Sequence, residues 1–159
     1  MSELQAIANR VAAKLVARNE TIAIAESSAG GLISAALLAV PGASKYFLGG
    51  AIVYTKTARE ALLAITAADM TNMRASSEPY THLLAGRVRE KLGADWGLSE
   101  TGAAGPTGNR YGDSAGHVCF AVSGPKNLAR TLETGLDDRA ANMDAFARAA
   151  LGLLDAALG

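Results

Sequence analysis

Apolar positions recur at helical spacing from the start of the chain: Leu4, Ile7, Ala8, Val11, Ala12, Leu15 and Val16 form one stripe, and Asn19-Glu20 ends it. This period predicts an amphipathic first helix. "TIAIA" follows as a short β-branched apolar run, then Ser27, Ser28 and the Gly30-Gly31 pair, then a second helix that stops near Pro41-Gly42. The order is strand, turn, helix. "YFLGGAIVYT" predicts a strand with a glycine interruption, and "AREALLAI" a short helix after it. Periodicity fades between Thr66 and Ser77, which predicts a loop, and Glu78-Pro79 opens a helix carried by Leu83, Leu84, Val88 and Leu92. "WGLSETG" reads as a strand that runs into "AAGPTGNRYGDSAG", whose four glycines and proline oppose regular structure. "HVCFAVSG" and "LARTLETG", on either side of Gly124-Pro125, predict a hairpin. Met143, Phe146, Ala147, Ala150, Leu151 and Leu154 mark a closing helix with Asp137 or Asp138 as its N-cap.

Strands alternating with helices, then a hairpin, predict an α/β fold in which a mixed sheet is covered by helices on both faces. Half of the 159 residues are apolar, enough for one core and one domain, residues 1–159. Fifteen basic residues balance fifteen acidic ones. Neither nucleic acid nor a membrane surface is therefore an expected partner, because both select a basic excess. The expected partner is a small neutral or anionic molecule. The single cysteine, Cys119, lies in an apolar strand where burial is the usual outcome, and no basic-then-apolar leader opens the chain, so a cytoplasmic location is expected. His82 and His117 have no partners at metal-ligand spacing, and no metal is expected. Trp96 reads as core or interface.

In open sheets ligands gather at the carboxyl ends of strands, and two Gly-rich loops leave predicted strands: Glu26 to Gly31 and Thr101 to Gly116. Unpaired amides at a helix start, approachable across glycine, can hold a phosphate or an oxyanion. A serine there can also act as a nucleophile if a base accepts its proton. Ser27 or Ser28 can equally be a plain N-cap. Glu26 is either a ligand-orienting carboxylate or a first-turn acid favoured by the helix dipole.

The stretch "AESSAGGLISAALLAVPGASKYFLGGAIVYT", with "SSEP" at 76–79 and "GAAGPTG" followed by "GHVCFAV", resembles the carboxy-terminal domain of the competence/damage-inducible CinA proteins. The likeness runs over nearly the whole chain. It implies a three-layer α/β/α sandwich with a mixed sheet, an activity like that of the family's nicotinamide-nucleotide amidases, no cofactor, and a homo-oligomer. The family's Glu-Ser-Cys-Thr-Gly-Gly motif is matched by Glu26, Ser27, Ser28, Ala29, Gly30 and Gly31, which places the nucleophile at Ser27. Tyr54 matches the family's tyrosine. Five residues on, where the family has a lysine thought to act as the base, stands Arg59.

Arginine stays protonated near neutral pH, so Arg59 is expected to hold an anion rather than accept a proton. Lys56 is the substitute base if the strand continues from Tyr54 to Lys56, which puts both side chains on one face; an earlier helix start points Lys56 elsewhere. In the second loop the family's Ser-Gly-Ile-Ala-Gly-Pro-Asp-Gly becomes Thr101, Gly102, Ala103, Ala104, Gly105, Pro106, Thr107 and Gly108. Thr101 keeps a hydroxyl, the acidic side chain is lost, and Arg110 and Tyr111 become candidates for phosphate and ring contacts. The expected catalytic set is Ser27, Tyr54 and Lys56. The expected binding set is Glu26, Ser28, Gly30, Gly31, Arg59, Thr101, Gly102, Gly105 and Arg110, with the amides around Ser28 to Gly31 holding the oxyanion. The resemblance implies hydrolysis of nicotinamide mononucleotide to nicotinic acid mononucleotide and ammonia. A nucleotide- or phosphate-binding protein that has lost the reaction, and an amidase for another amide, are the alternatives.

Overall fold

A computed structural model describes all residues, 1–159. Five helices, α1 (Glu3–Arg18), α2 (Leu32–Leu38), α3 (Lys56–Leu63), α4 (Glu78–Leu92) and α5 (Arg139–Leu158), surround five strands. The strands are β1 (Ile22–Glu26), β2 (Phe47–Ile52), β3 (Trp96–Gly102), β4 (His117–Ser123) and β5 (Leu128–Glu133), in the order β2-β1-β3-β4-β5. β1 is parallel to β2 and β3, whereas β4 runs antiparallel to its neighbours β3 and β5. The sheet is mixed, as the alternation of elements predicts.

Side-chain alternation assigns the two faces. Ile22 and Ile24 of β1, Trp96 and Leu98 of β3, and Val118, Phe120 and Val122 of β4 pack with α1, α2 and α5, where Leu15, Ile33, Phe146, Leu151 and Leu154 are buried. Each fully buried Leu, Ile or Phe contributes roughly 1.5–3 kcal/mol relative to exposure. Ala23 and Ala25 face the other way, against Leu63, Tyr80, Leu84 and Val88 of α3 and α4. Three layers result. Gly97 on this second face has no room for a side chain: a Cβ there would lie 2.1 Å from the Ala85 carbonyl oxygen, so α4 rests directly on the β3 backbone.

The caps follow simple chemistry. Ser2, Thr55, Ser77 and Asp138 each accept a backbone N–H at the start of α1, α3, α4 and α5. Of the two candidates for α5, Asp138 is the cap. Thr55 capping α3 also ends the predicted continuation of β2: the strand stops at Ile52 and Lys56 is already the first helical residue. Because β1 sends its chain to β2 on one side while β3 lies on the other, the carboxyl ends of β1 and β3 open side by side, with Ala25 opposite Ser99. This is the switch point at which open sheets bind ligands.

Candidate active site

The chain turns sharply after β1. Gly30 and Gly31 adopt φ values of 67° and 101°, a left-handed conformation that a side chain would oppose, and α2 begins at once. Neither serine caps α2. The Glu26 carboxylate does so, accepting N–H bonds from Gly31 (3.0 Å), Ile33 (3.0 Å) and Ser34 (2.8 Å). Glu26 is wholly buried, and three amide donors satisfy its oxygens at the positive end of the helix. Its carboxylate is thus taken up at the start of α2 and does not line the cavity beside the serines, the second of the two roles the sequence allowed.

A second carboxyl, which sequence reasoning missed, holds the serines. Glu100 of β3 is on the same face as Trp96 and Leu98 and is wholly buried. Its Oε1 accepts the N–H of Ser27 (2.9 Å) and of Ala29 (2.8 Å), while its Oε2 accepts the Ser28 hydroxyl. Burial drives the Glu100 pKa up, the bonds from Ser28, Ala29 and Ser27 pull it back, and nearby Glu26 raises it again; it lies at about 7. A group half-ionised near neutrality can both take and return a proton.

Beside this pair opens a cavity of about 260 Å³ lined by Ser28, Tyr54, Arg139 and the backbone-rich wall from Gly102 to Asn109. The Ser28 N–H has no acceptor in the protein, nor do the N–H groups of Ala104, Gly105, Thr107 and Gly108. The amides of Ser27, Ala29 and Gly31 are already spent on Glu100 and Glu26. The expected oxyanion donors therefore contract to Ser28 on the serine loop, with additional donors on the opposite wall. At the rim Arg139, the first residue of α5, donates to the Gly105 carbonyl (2.6 Å) and to the Tyr54 hydroxyl (3.0 Å). Both rim side chains are exposed, so an anionic ligand can reach the guanidinium from solvent.

The structure brings Ser28, Tyr54, Gly102 and Gly105 of the expected set to the cavity wall. Ser27 is half-buried beside it, and its hydroxyl has no hydrogen-bond partner. Gly30 and Gly31 shape the turn. Other residues fall elsewhere, each for a physical reason. Lys56 is exposed at the helix start and contacts neither serine through a hydrogen bond. Arg59, one turn into α3, places its guanidinium 5.4 Å from the centre of the Tyr80 ring. Thr101 alternates to the face of Ser99, buried away from the cavity. Arg110 is exposed and lies over Tyr111, 5.1 Å from its ring centre.

The outer wall is braced by a charged network. Asp113 accepts from Arg74 (2.7 Å) and from Asn109 Nδ2 (2.8 Å). His117 is buried, with Nδ1 against Glu133 (2.5 Å) and Nε2 against the Ser76 carbonyl (2.8 Å). A carboxylate and a carbonyl both accept, so the surroundings favour the doubly protonated ring, in which both nitrogens donate. Burial opposes that charge, but the bonds to Glu133 and Ser76 and the nearby Asp113 carboxylate outweigh it and hold the pKa above its usual 6.5. Cys119 is buried next to this network, and burial pushes its thiol up, away from reactivity.

Two missed residues had signals in the sequence. Glu100 is an acid inside a strand covered on both faces, where an unpaired charge is prohibitively costly. Arg139 is a cation in the first turn of a helix, where the dipole disfavours it.

A family model described as the CinA C-terminal domain matches residues 4–158. The chain is 41% identical over 124 residues to the CinA-like protein of Prochlorococcus marinus (strain MIT 9313), an overlap covering 78% of this chain and 29% of that protein. It is 38% identical over 120 residues to the CinA-like protein of Gloeothece citriformis (strain PCC 7424), covering 76% and 29%. It spans less than a third of the length of these curated relatives. Among solved structures, the competence or damage-inducible protein from Enterobacter asburiae superposes with a TM-score of 0.92 at 27% identity, covering 100% of both chains. The competence/damage inducible protein CihA from Agrobacterium tumefaciens gives 0.91 at 26%, covering 99% of this chain and 96% of that one.

Proposed function

Because the chain belongs to the CinA C-terminal domain family, whose members include nicotinamide-nucleotide amidases, we propose that it is an amidohydrolase. Its substrate in this reading is nicotinamide mononucleotide, its products nicotinic acid mononucleotide and ammonia. The observation that carries the proposal is the serine loop at the cavity wall, with a buried carboxyl of pKa about 7 hydrogen-bonded to a serine hydroxyl. That arrangement supplies a nucleophile and a proton acceptor in contact, the minimum that acyl transfer requires.

The ligand's parts find complements in the cavity. A carboxamide beside the serine loop faces the free Ser28 N–H, which can bind the oxygen as it gains charge. A phosphate at the rim meets Arg139, whose planar fork suits it. The pyridinium withdraws electrons from the carboxamide and eases attack. The motif match assigns the nucleophile to Ser27, although the only serine hydroxyl here with a proton acceptor is that of Ser28.

One observation favours a second reading, a ligand-binding protein without turnover: Arg59 stands in place of the family's lysine and is engaged by Tyr80. Chromatography of nicotinamide mononucleotide incubated with the purified protein separates the two. Nicotinic acid mononucleotide is expected with the wild type and not with the Ser27→Ala/Ser28→Ala double variant. Calorimetric binding with no product would overturn hydrolysis of this substrate in favour of the second reading.

A further inference from the structure

We infer that Ser28, rather than Ser27, is the acyl-accepting nucleophile of this cavity, and that Glu100 is the base that takes its proton. The inference rests on the amide-hydrolysis reading and specifies its chemistry. Four observations converge on the pair. Ser28, and not Ser27, lines the cavity. The Ser28 hydroxyl donates to Glu100 Oε2, whereas the Ser27 hydroxyl has no hydrogen-bond partner. Glu100 is aimed and held, because its other oxygen is fixed by the N–H groups of Ser27 (2.9 Å) and Ala29 (2.8 Å). The Ser28 N–H is left without an acceptor, so it can bind the carbonyl oxygen attacked by its own hydroxyl.

The other groups considered for the base are either saturated or placed elsewhere. Glu26 is saturated by three amides of α2. Lys56 is exposed on α3 and Arg59 is over Tyr80. The position of Glu100 therefore answers the loss of the lysine. A carboxyl already inside the serine loop does the work, and its elevated pKa matches it to neutral pH.

The steps balance. As Ser28 Oγ attacks the carboxamide carbon, its proton passes to Glu100 Oε2 and the carbonyl π pair moves onto oxygen. Collapse breaks the C–N bond, and the departing nitrogen takes the proton from Glu100 and leaves as ammonia. Water then gives a proton to Glu100 as it attacks the ester carbon. The C–O bond to Ser28 breaks, and Oγ recovers the proton. Amide and water enter; acid and ammonia leave.

A small fluorophosphonate, which phosphonylates an activated serine with loss of fluoride, tests the assignment without depending on any substrate. The site of the adduct is read by tandem mass spectrometry on the tryptic peptide 19–45. The expected result is an adduct on Ser28, with a labelling rate that rises through about pH 7 as Glu100 ionises. Glu100→Gln, which keeps the shape and can still accept both amides, should lower the labelling rate roughly 100-fold or more and remove its pH dependence. An adduct on Ser27, unchanged labelling of Glu100→Gln, or no adduct in protein that releases ammonia would overturn the inference while leaving amide hydrolysis standing. An adduct on Ser28 in protein that leaves nicotinamide mononucleotide intact would support the pair and overturn the substrate. Should Glu100→Gln fail to fold, as read by circular dichroism, the wild-type adduct position decides alone.

Discussion

Replacing Glu100 with glutamine should alter how stability depends on pH, with a sign opposite to that of an ordinary salt-bridged acid. The carboxyl sits at about 7 in the fold against 4.5 when solvated, so the folded protein binds its proton more tightly than the unfolded chain. The stability this group contributes is complete below about pH 4.5 and is lost as pH rises through about 7. A difference of that size corresponds to about 3 kcal/mol. Glutamine does not titrate and retains the shape: its Oε1 can accept the Ser27 and Ala29 amides while its Nε2 donates to Ser28 Oγ. The single tryptophan, Trp96, is wholly buried and reports unfolding by fluorescence. Urea denaturation of both proteins at pH 4.5 and pH 8 then gives the comparison. The stability of Glu100→Gln relative to the wild type should increase by about 3 kcal/mol from the lower pH to the higher. His117 titrates in both proteins and cancels. The same stability difference at both pH values would refute the reasoning, since Glu100 would then ionise in the fold as it does in water.

Two further substitutions test the framework of the site. Glu26→Ala leaves three helix-start amides without an acceptor; a loss on the order of 3 kcal/mol is expected, lowering Tm by about 6–12 °C in a thermal melt. The doubly protonated form of His117 is favoured by Glu133 and the Ser76 carbonyl. Its raised pKa makes its contribution complete below 6.5 and lost as pH rises through the folded value. His117→Gln should thus destabilise by roughly 1.5–3 kcal/mol in acid and by less above neutrality, as measured by urea denaturation across pH.

Much of the fold is legible in the sequence because its layers have distinct periods. The helical stripe of α1, the unbroken apolar run of β4 and the glycine-rich exit from β3 each point to one structure, and local and global preferences agree. The two loops of the site were equally visible, since glycine beside a strand end marks where a backbone must approach a ligand. What escaped was the pairing of charges across the sheet. Glu26 and Glu100 belong to strands adjacent in space but 74 residues apart in sequence. No local pattern reveals that one acid caps a helix while the other grips the serines. Lys56 was misplaced by a smaller effect: Thr55 caps α3, so the helix begins before the strand can carry the lysine to the face of Tyr54. Thr101 illustrates the same rule of two in a strand, where one step along β3 separates the cavity face from the α4 face.

The substitutions in the family motif also become intelligible as a set. Ser28, where the motif has cysteine, forms a hydrogen-bonded pair with Glu100. Arg59, where the family has lysine, is drawn over Tyr80. One change sets a hydroxyl against the Glu100 carboxyl in the serine loop, while the other removes a proton acceptor from the neighbourhood of Tyr54.

The initial rate of ammonia release from nicotinamide mononucleotide near neutral pH, measured on the wild type beside the Ser27→Ala/Ser28→Ala double variant, tests the central claim most directly. The account predicts steady release by the wild type and background release by the folded double variant. Equal rates in the two proteins, or no release by folded wild type that binds the nucleotide, would contradict it.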